Sequence, residues 1–376
     1  MTNNSNYIYY GTKCNASELN TFIKHTLLSN DRAEQAQRKK HPICIWGDHG
    51  IGKTEIVEAY TQQEGYQLAY IAPAQFEEMG DLLGMPKISA TEKGQNQEDV
   101  TTFIPPDWVP KEEGPGILLI DDVNRADDRI LRGIMQLLQN YELVSWKLPP
   151  KWHIILTANP DGGDYSVTPM DFAMITRMMH ITLTFEVKNW AFWAERNQVD
   201  PRGISFVLTY PEVVTGERTT PRTLVQFFEN ISHIEDLKKD LGLVKMLADA
   251  CLDDNTVTSF MAFINNDLSK LITPEEIINA RNFEKEVYGR IKKLVEQETK
   301  RVDIISVITT RLINYLGVNE VNYKKSQMEN IKNFLKMDFL PNDIRLVAGQ
   351  DMMELSEELK KFWSDPELGQ MLIQGI

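Results

Sequence analysis

The residues with the clearest capacity for chemistry are Gly47, Asp48, His49, Gly50, Ile51, Gly52, Lys53 and Thr54, which satisfy G-x-x-x-x-G-K-[ST]. Glycines at these positions let a backbone wrap tightly enough to aim several N–H groups at one phosphate. A helix starting at the last glycine adds its positive end. Lys53 is expected to bridge the terminal phosphates and the Thr54 hydroxyl to bind Mg²⁺. Glu55 follows directly and closes the stretch expected to contact nucleotide. An ordinary glycine-rich turn gives no reason for Lys-Thr after the last glycine.

A phosphate loop alone specifies only a nucleotide. The second group is Asp121-Asp122, delivered by the apolar run Ile117-Leu118-Leu119-Ile120. A buried strand ending there places both carboxylates beside the loop. Asp121 is expected to hold Mg²⁺ through water, and Asp122 stands where a general base polarises the attacking water. A turn or helix start is the alternative reading of two acids after a strand. The third is Asn159, after Ile154-Ile155-Leu156-Thr157-Ala158, expected to orient the water from the opposite side; Asn159-Pro160 is otherwise a turn signal. The fourth is a pair of arginines, Arg177 and Arg222, either of which can reach a γ-phosphate and stabilise transition-state charge, or simply form a surface ion pair.

These residues need elements to hold them. Short apolar runs at His41–Trp46, Gln67–Ala72, Gly116–Ile120, His153–Thr157 and His180–Phe185 alternate with helical patterns at Glu18–Arg38, Glu55–Gln62 and Arg129–Leu138. That alternation predicts an α/β fold, a largely parallel sheet covered on both faces. Polar Ser89–Val100 reads as an exposed loop. After Phe185 the strands stop and helical patterns follow at Lys188–Arg196, Thr223–Ser232, Leu241–Leu252, Thr256–Ile264 and from Pro274 to Ile376. The expected division is therefore an α/β nucleotide-binding core at 1–187, a helical lid at 188–270 and a further helical region at 271–376. Trp190 and Trp193 read as core packing on one helix face.

Composition narrows the partners. The 376 residues carry a formal charge of −14, with 42% hydrophobic and 25% charged residues. A chain this acidic repels phosphate backbones at long range, which counts against a broad nucleic-acid surface. No apolar run approaches the roughly 20 residues that span a bilayer, so membrane insertion is not expected. The N-terminus lacks the basic and apolar stretches of a secretory signal, and the three cysteines are few, scattered and odd in number. Together these lead to the expectation of a cytoplasmic location without disulfides.

From His41 to Phe228 the chain resembles AAA+ ATPases, and within them the MoxR-type branch that works with partners carrying von Willebrand A-type domains. The marks are Asp81-Leu82-Leu83-Gly84-Met85-Pro86, Pro105-Pro106-Asp107-Trp108-Val109-Pro110 and Asp121-Asp122-Val123-Asn124-Arg125-Ala126. Leu148-Pro149-Pro150-Lys151-Trp152, Thr157-Ala158-Asn159-Pro160 and the Arg177 and Pro221-Arg222 segments complete the set. The resemblance implies that Gly47–Thr54 is Walker A, Asp121 and Asp122 Walker B, Asn159 sensor 1, Arg177 the arginine finger and Arg222 sensor 2, with Arg125 near a subunit boundary. It implies an αβα core with a helical lid, ATP and Mg²⁺ as ligands, and a homo-oligomeric, hexameric ring with ATP at its interfaces. The function it implies is chaperone-like remodelling of a protein partner. A nucleic-acid motor or loader, and an ATP-dependent scaffold that turns over slowly or not at all, are the alternatives.

One position departs from the family. Asp122 stands where the family has Glu, which sets the carboxylate back by one C–C bond, roughly 1.5 Å. A displacement of that order costs about 10²-fold in rate, so slow turnover is expected.

Overall fold

The computed structural model describes residues 8–93, 96–160, 167–295, 301–319, 323–360 and Leu368. Its chain divides into two compact units, Met1–Phe185 and Glu186–Ile376.

The first unit contains β1 (Thr12–Cys14), α1 (Ala16–Gln35), β2 (Ile43–Trp46), α2 (Lys53–Glu64), β3 (Gln67–Ile71), α3 (Met79–Leu83), β4 (Met85–Lys93), β5 (Asn96–Ile104), β6 (Gly116–Ile120), α4 (Asp128–Asn140), β7 (Trp152–Ala158), α5 (Phe172–Ile175) and β8 (Met179–Leu183). Six strands form one sheet in the order β1-β8-β2-β7-β6-β3, and every pairing in it is parallel. The α/β expectation therefore holds.

Alternation along the strands explains the two covered faces. Ile43, Ile45, Ile117, Leu119 and Ile155 pack with Leu19, Ile23 and Leu27 of α1 and Val57 of α2. Cys44, Trp46, Leu118, Ile120, Ile154 and Leu156 point the other way, onto Ile130, Ile134, Leu137 and Leu138 of α4. Helix α1 starts on a capping box in which Asn15 and Glu18 satisfy each other's backbone N–H groups, and α2 stops at Gly65, φ 74°.

Two features depart from the sequence reading. The segment Ser89–Val100 belongs to an antiparallel ladder, β4 with β5, paired from Met85↔Ile104 to Lys93↔Asn96; residues 94 and 95 of that segment lie outside the described residues. Its sequence has β-branched Ile88, Thr91, Val100, Thr101 and Thr102 but no apolar alternation, so periodicity gives no strand signal there. Strand β1 was also unread, because three residues give no period.

The second unit is helical. It contains α6 (Val187–Arg196), α7 (Pro201–Thr209), α8 (Pro221–Ile231), α9 (Leu241–Cys251), α10 (Asp254–Asn265), α11 (Pro274–Asn279), a π-helical turn at Glu284–Tyr288, α12 (Gly289–Val295), α13 (Val302–Val318), α14 (Lys325–Leu335), α15 (Asn342–Leu355) and α16 (Glu357–Lys360). The remaining C-terminal residues for which helix was expected lie outside the described residues, Leu368 apart. Phe206, Phe227, Phe260 and Phe263 make edge-to-face contacts in its core. Buried Arg311 on α13 donates to Glu195 of α6 at 2.8 Å and to Ser205 of α7 at 3.2 Å. The helices of 188–270 and 271–376 thus share one compact unit. Trp190 is buried as expected, but Trp193 is 43% exposed: three residues along a helix turn about 300°, which leaves it on the flank of the buried stripe.

Candidate active site

Parallel strands β2, β6 and β7 end together, and the side chains just past their C-terminal ends converge. After Trp46 the chain turns through Gly47, Gly50 and Gly52 with φ of 154°, 71° and 94°. A Cβ on Gly47 would lie 2.6 Å from Ile51 Cδ1 and 2.8 Å from the Leu183 carbonyl, so a side chain there does not fit. Gly52 caps α2 in a left-handed conformation, and α2 begins at Lys53 itself. The loop thereby directs a helix N-terminus at the space it encloses. Asp48 and His49 are exposed on the loop and Glu55 on the first turn of α2, and Asp48 Oδ1 accepts a 2.9 Å hydrogen bond from the Tyr9 hydroxyl.

Lys53 is buried, and its ammonium donates to the Gly47 carbonyl (2.9 Å), the Asp48 carbonyl (3.0 Å) and Asn159 Oδ1 (3.1 Å). Asp121 gathers three hydroxyls: Thr54 and Thr157 each donate to Oδ1 at 2.6 Å, and Tyr70 donates to Oδ2 at 3.0 Å. Burial and the neighbouring Asp121 carboxylate push the Tyr70 hydroxyl up to a pKa of about 12, so it remains a donor. Thr157 Oγ1 also accepts from the Asp122 backbone N–H at 2.8 Å. Asp122 takes a left-handed backbone, φ 47° and ψ 45°. Its Oδ1 accepts from Asn159 Nδ2 at 2.9 Å, and its Oδ2 pairs with Arg125 Nε at 3.0 Å. Fully buried Asn124 fixes Asn159 from behind, donating to its carbonyl at 2.8 Å and accepting from its N–H at 3.1 Å.

The structure thus joins Lys53, Thr54, Asp121, Asp122 and Asn159 in one hydrogen-bonded group. Arg177 stands apart from that group: its guanidinium contacts Gln139 of α4 at 3.2 and 3.3 Å and the Ala173 carbonyl. Arg222 lies in α8 of the second unit. Tyr70 and the positioning roles of Thr157 and Asn124 were missed from sequence. Thr157 carried a usable signal, since in a strand it faces the same side as Asn159 two residues on. Tyr70 carried none, because only the pairing of β3 with β6 brings it beside Asp121.

The donor set suits Mg²⁺. The Thr54 hydroxyl and the Asp121 carboxylate are hard oxygens within 2.6 Å of each other, and Mg²⁺ in phosphate sites takes one or two such groups and fills its remaining positions with water and phosphate. Among the described residues no cluster of three or more His, Cys, Asp or Glu side chains offers an all-protein metal cage. The same loop, lysine and helix N-terminus suit a polyphosphate. Among the described residues no helix is long and apolar enough to cross a membrane.

Residues 42–178 match the family model described as AAA domain (dynein-related subfamily). Midasin of Giardia intestinalis is 29% identical over 165 residues, which is 42% of this chain but only 3% of that protein's length. Solved structures of Thermotoga maritima RuvB give TM-scores of 0.36–0.37. A point mutant of it is 13% identical, covering 83% of this chain and 94% of that one. The structure described as the Holliday junction branch migration motor is 15% identical, covering 68% and 73%. Scores that low carry no argument about function. The family match supports an AAA+ ATPase without singling out the MoxR-type branch.

Proposed function

We propose that this AAA+ chain is a Mg²⁺-dependent ATPase of MoxR type that works as a subunit of a ring, most simply a hexamer. ATP turnover would drive the remodelling or activation of a protein partner, one with a von Willebrand A-type domain. The observation that carries the reading is the single group of Lys53, Thr54, Asp121, Asp122 and Asn159 at the ends of β2, β6 and β7. Each member has a distinct part in moving a phosphoryl group to water. The loop N–H groups and Lys53 bind and neutralise the terminal phosphates. Thr54 and Asp121 would hold Mg²⁺, which when bound supplies charge neutralisation on the phosphate oxygens. Asp122 accepts a proton from the attacking water, and Asn159 orients both that carboxylate and the phosphate-binding lysine.

Arg177 supports the ring. Within its own subunit it touches no member of that group, as befits a guanidinium offered to a neighbour's γ-phosphate. The helices of 188–270 serve as the lid, with Arg222 its reporter on the phosphates, and the acidic surface favours a protein partner over nucleic acid. The test is ATP binding and hydrolysis by the purified chain with Mg²⁺ or with EDTA, beside analytical ultracentrifugation with and without ATP. Mg²⁺-dependent hydrolysis and nucleotide-promoted assembly are expected. Binding without hydrolysis at any protein concentration would instead favour an ATP-dependent scaffold.

A further inference from the structure

Strand β3 is an outer strand of the six-stranded sheet, paired only on its β6 side. Gln67 N–H donates to the Pro115 carbonyl at 2.9 Å, and the Ile71 carbonyl accepts from Asp121 N–H at 2.8 Å. The odd residues thus turn their backbone groups to β6, and Leu68 and Tyr70 turn theirs outward. Native sheets protect such an edge with a charge, a proline or a covering segment. Gln67-Leu68-Ala69-Tyr70-Ile71 has neither charge nor proline, and Leu68 and Tyr70 are 39% and 46% exposed. The segment 107–112 faces the strand across a groove of about 380 Å³. Among the described residues no backbone hydrogen bond joins that segment to β3. Its anchors lie elsewhere: Trp108 Nε1 donates to the Asp81 carbonyl at 3.3 Å, and the Glu112 carbonyl accepts from Trp152 Nε1 at 2.9 Å.

We propose that the open edge of β3 is a docking site for an extended, cationic segment of a partner protein, which joins the sheet as an added strand. The proposal goes beyond the ATPase reading and stands without it. The unpaired groups specify the form of the occupant, because N–H and C=O groups spaced along a strand are matched by those of another strand. Alternate residues of the added strand would lie on one face beside Leu68 and Tyr70, and on the other beside Ala69 and the groove wall with Trp108 and Trp152. β-Branched side chains suit both faces. Charge favours a partner over a second copy. Asp107 and Glu112 outnumber Lys111 on the wall, and copies carrying −14 each repel one another. The groove is also preformed, since its wall is anchored as above and the Tyr70 ring is held by its hydroxyl, 3.0 Å from Asp121 Oδ2. Little ordering is then left to oppose docking.

The probe is a capped seven-residue peptide that alternates valine and threonine between two terminal lysines. It is titrated into the full chain labelled with ¹⁵N-leucine and ¹⁵N-tyrosine, the two edge amides being assigned through Leu68→Ile and Tyr70→Phe. The Leu68 and Tyr70 resonances are expected to move saturably, and their exchange with solvent to slow about 5-fold or more. The same peptide N-methylated at its five central residues is expected to bind at least about 10-fold more weakly, since it has lost the donors that pair with the edge. Leu68→Pro, which deletes one outward N–H and keeps the pairing with β6, should weaken the plain peptide about 2- to 10-fold. Glutamates in place of the lysines should weaken it about 2- to 5-fold at low salt; equal binding by that peptide overturns the cationic assignment. Unmoved Leu68 and Tyr70 amides, or equal binding of the plain and N-methylated peptides, overturn the edge as the docking site. Edge amides already slow to exchange without peptide mean that the chain covers its own edge, and resonances that move with protein concentration alone mean a second copy. Either result overturns the partner.

Discussion

The two ends of the parallel sheet are both rich in polar side chains, yet they do opposite things with them. At the C-terminal end, Lys53, Asn159 and Asp122 bond in series and Thr54, Thr157 and Tyr70 gather on Asp121, around glycines held at positive φ. At the N-terminal end, Lys40 donates to Glu34 and to the Trp152 carbonyl, each at 2.8 Å, and sits 4.6 Å from the centre of the Tyr141 ring. Glu34 also accepts from the Lys151 backbone N–H at 2.9 Å. Burial pushes the Glu34 carboxyl up, but its hydrogen bonds from Lys40 and Lys151 outweigh that and hold it below the usual range. His153, 1% exposed, is held well below the usual imidazole value by burial, although Asp31 Oδ1 lies 3.2 Å from its Nε2 without hydrogen-bond alignment. The difference is one of anchoring. Polar groups at the N-terminal end join backbone to side chain and fasten α1 to β7, whereas those at the C-terminal end rest on a glycine loop and a strand edge that can receive a ligand.

The comparison breaks most sharply at Asp122. Asp122→Asn is expected to lower ATP hydrolysis by about 10²-fold or more with nucleotide affinity and Tm nearly unchanged, measured by turnover and fluorescent-nucleotide titration. At the other end the effects reverse: Lys40→Met is expected to cost about 1–3 kcal/mol of stability by removing the ammonium from half-buried Glu34 and leaving it only the Lys151 N–H, read by urea unfolding, with kcat per folded molecule unchanged. A third expectation concerns pH. The unfolded chain protonates His153 near 6.5 while the fold keeps it neutral to lower pH, so its contribution is fully present above about pH 6.5 and is lost as pH falls below that. Tm should therefore drop from pH 7.5 to 5, and His153→Leu should drop less. The smallest effect belongs to Tyr70→Phe, which removes one hydroxyl from Asp121 and should shift the Mg²⁺ dependence of ATP binding by about 5-fold, the worth of one hydrogen bond.

What the sequence made legible follows from how local each feature is. The phosphate loop, the two carboxylates and Asn159 each sit directly after an apolar run, so the strand that positions them and the residue that acts are read together. The helices α1, α2 and α4 were readable for a similar reason, since each buries one stripe on the sheet. Tyr70 depends on which strand lies beside β6, and strand order leaves no mark in local periodicity. The β4–β5 ladder escaped because it alternates no apolar residues, and the pairing of Arg125 with Asp122 because it depends on one left-handed residue that is not glycine.

The central claim is that the site hydrolyses ATP and that a neighbouring subunit completes it. Steady-state hydrolysis measured against protein concentration, with Lys53→Ala and Arg177→Ala alongside, tests it most directly. The account predicts specific activity that rises with concentration in the wild type and vanishes in both variants, with mixtures of the two variants regaining a fraction of it. Specific activity independent of concentration and retained in Arg177→Ala would contradict it.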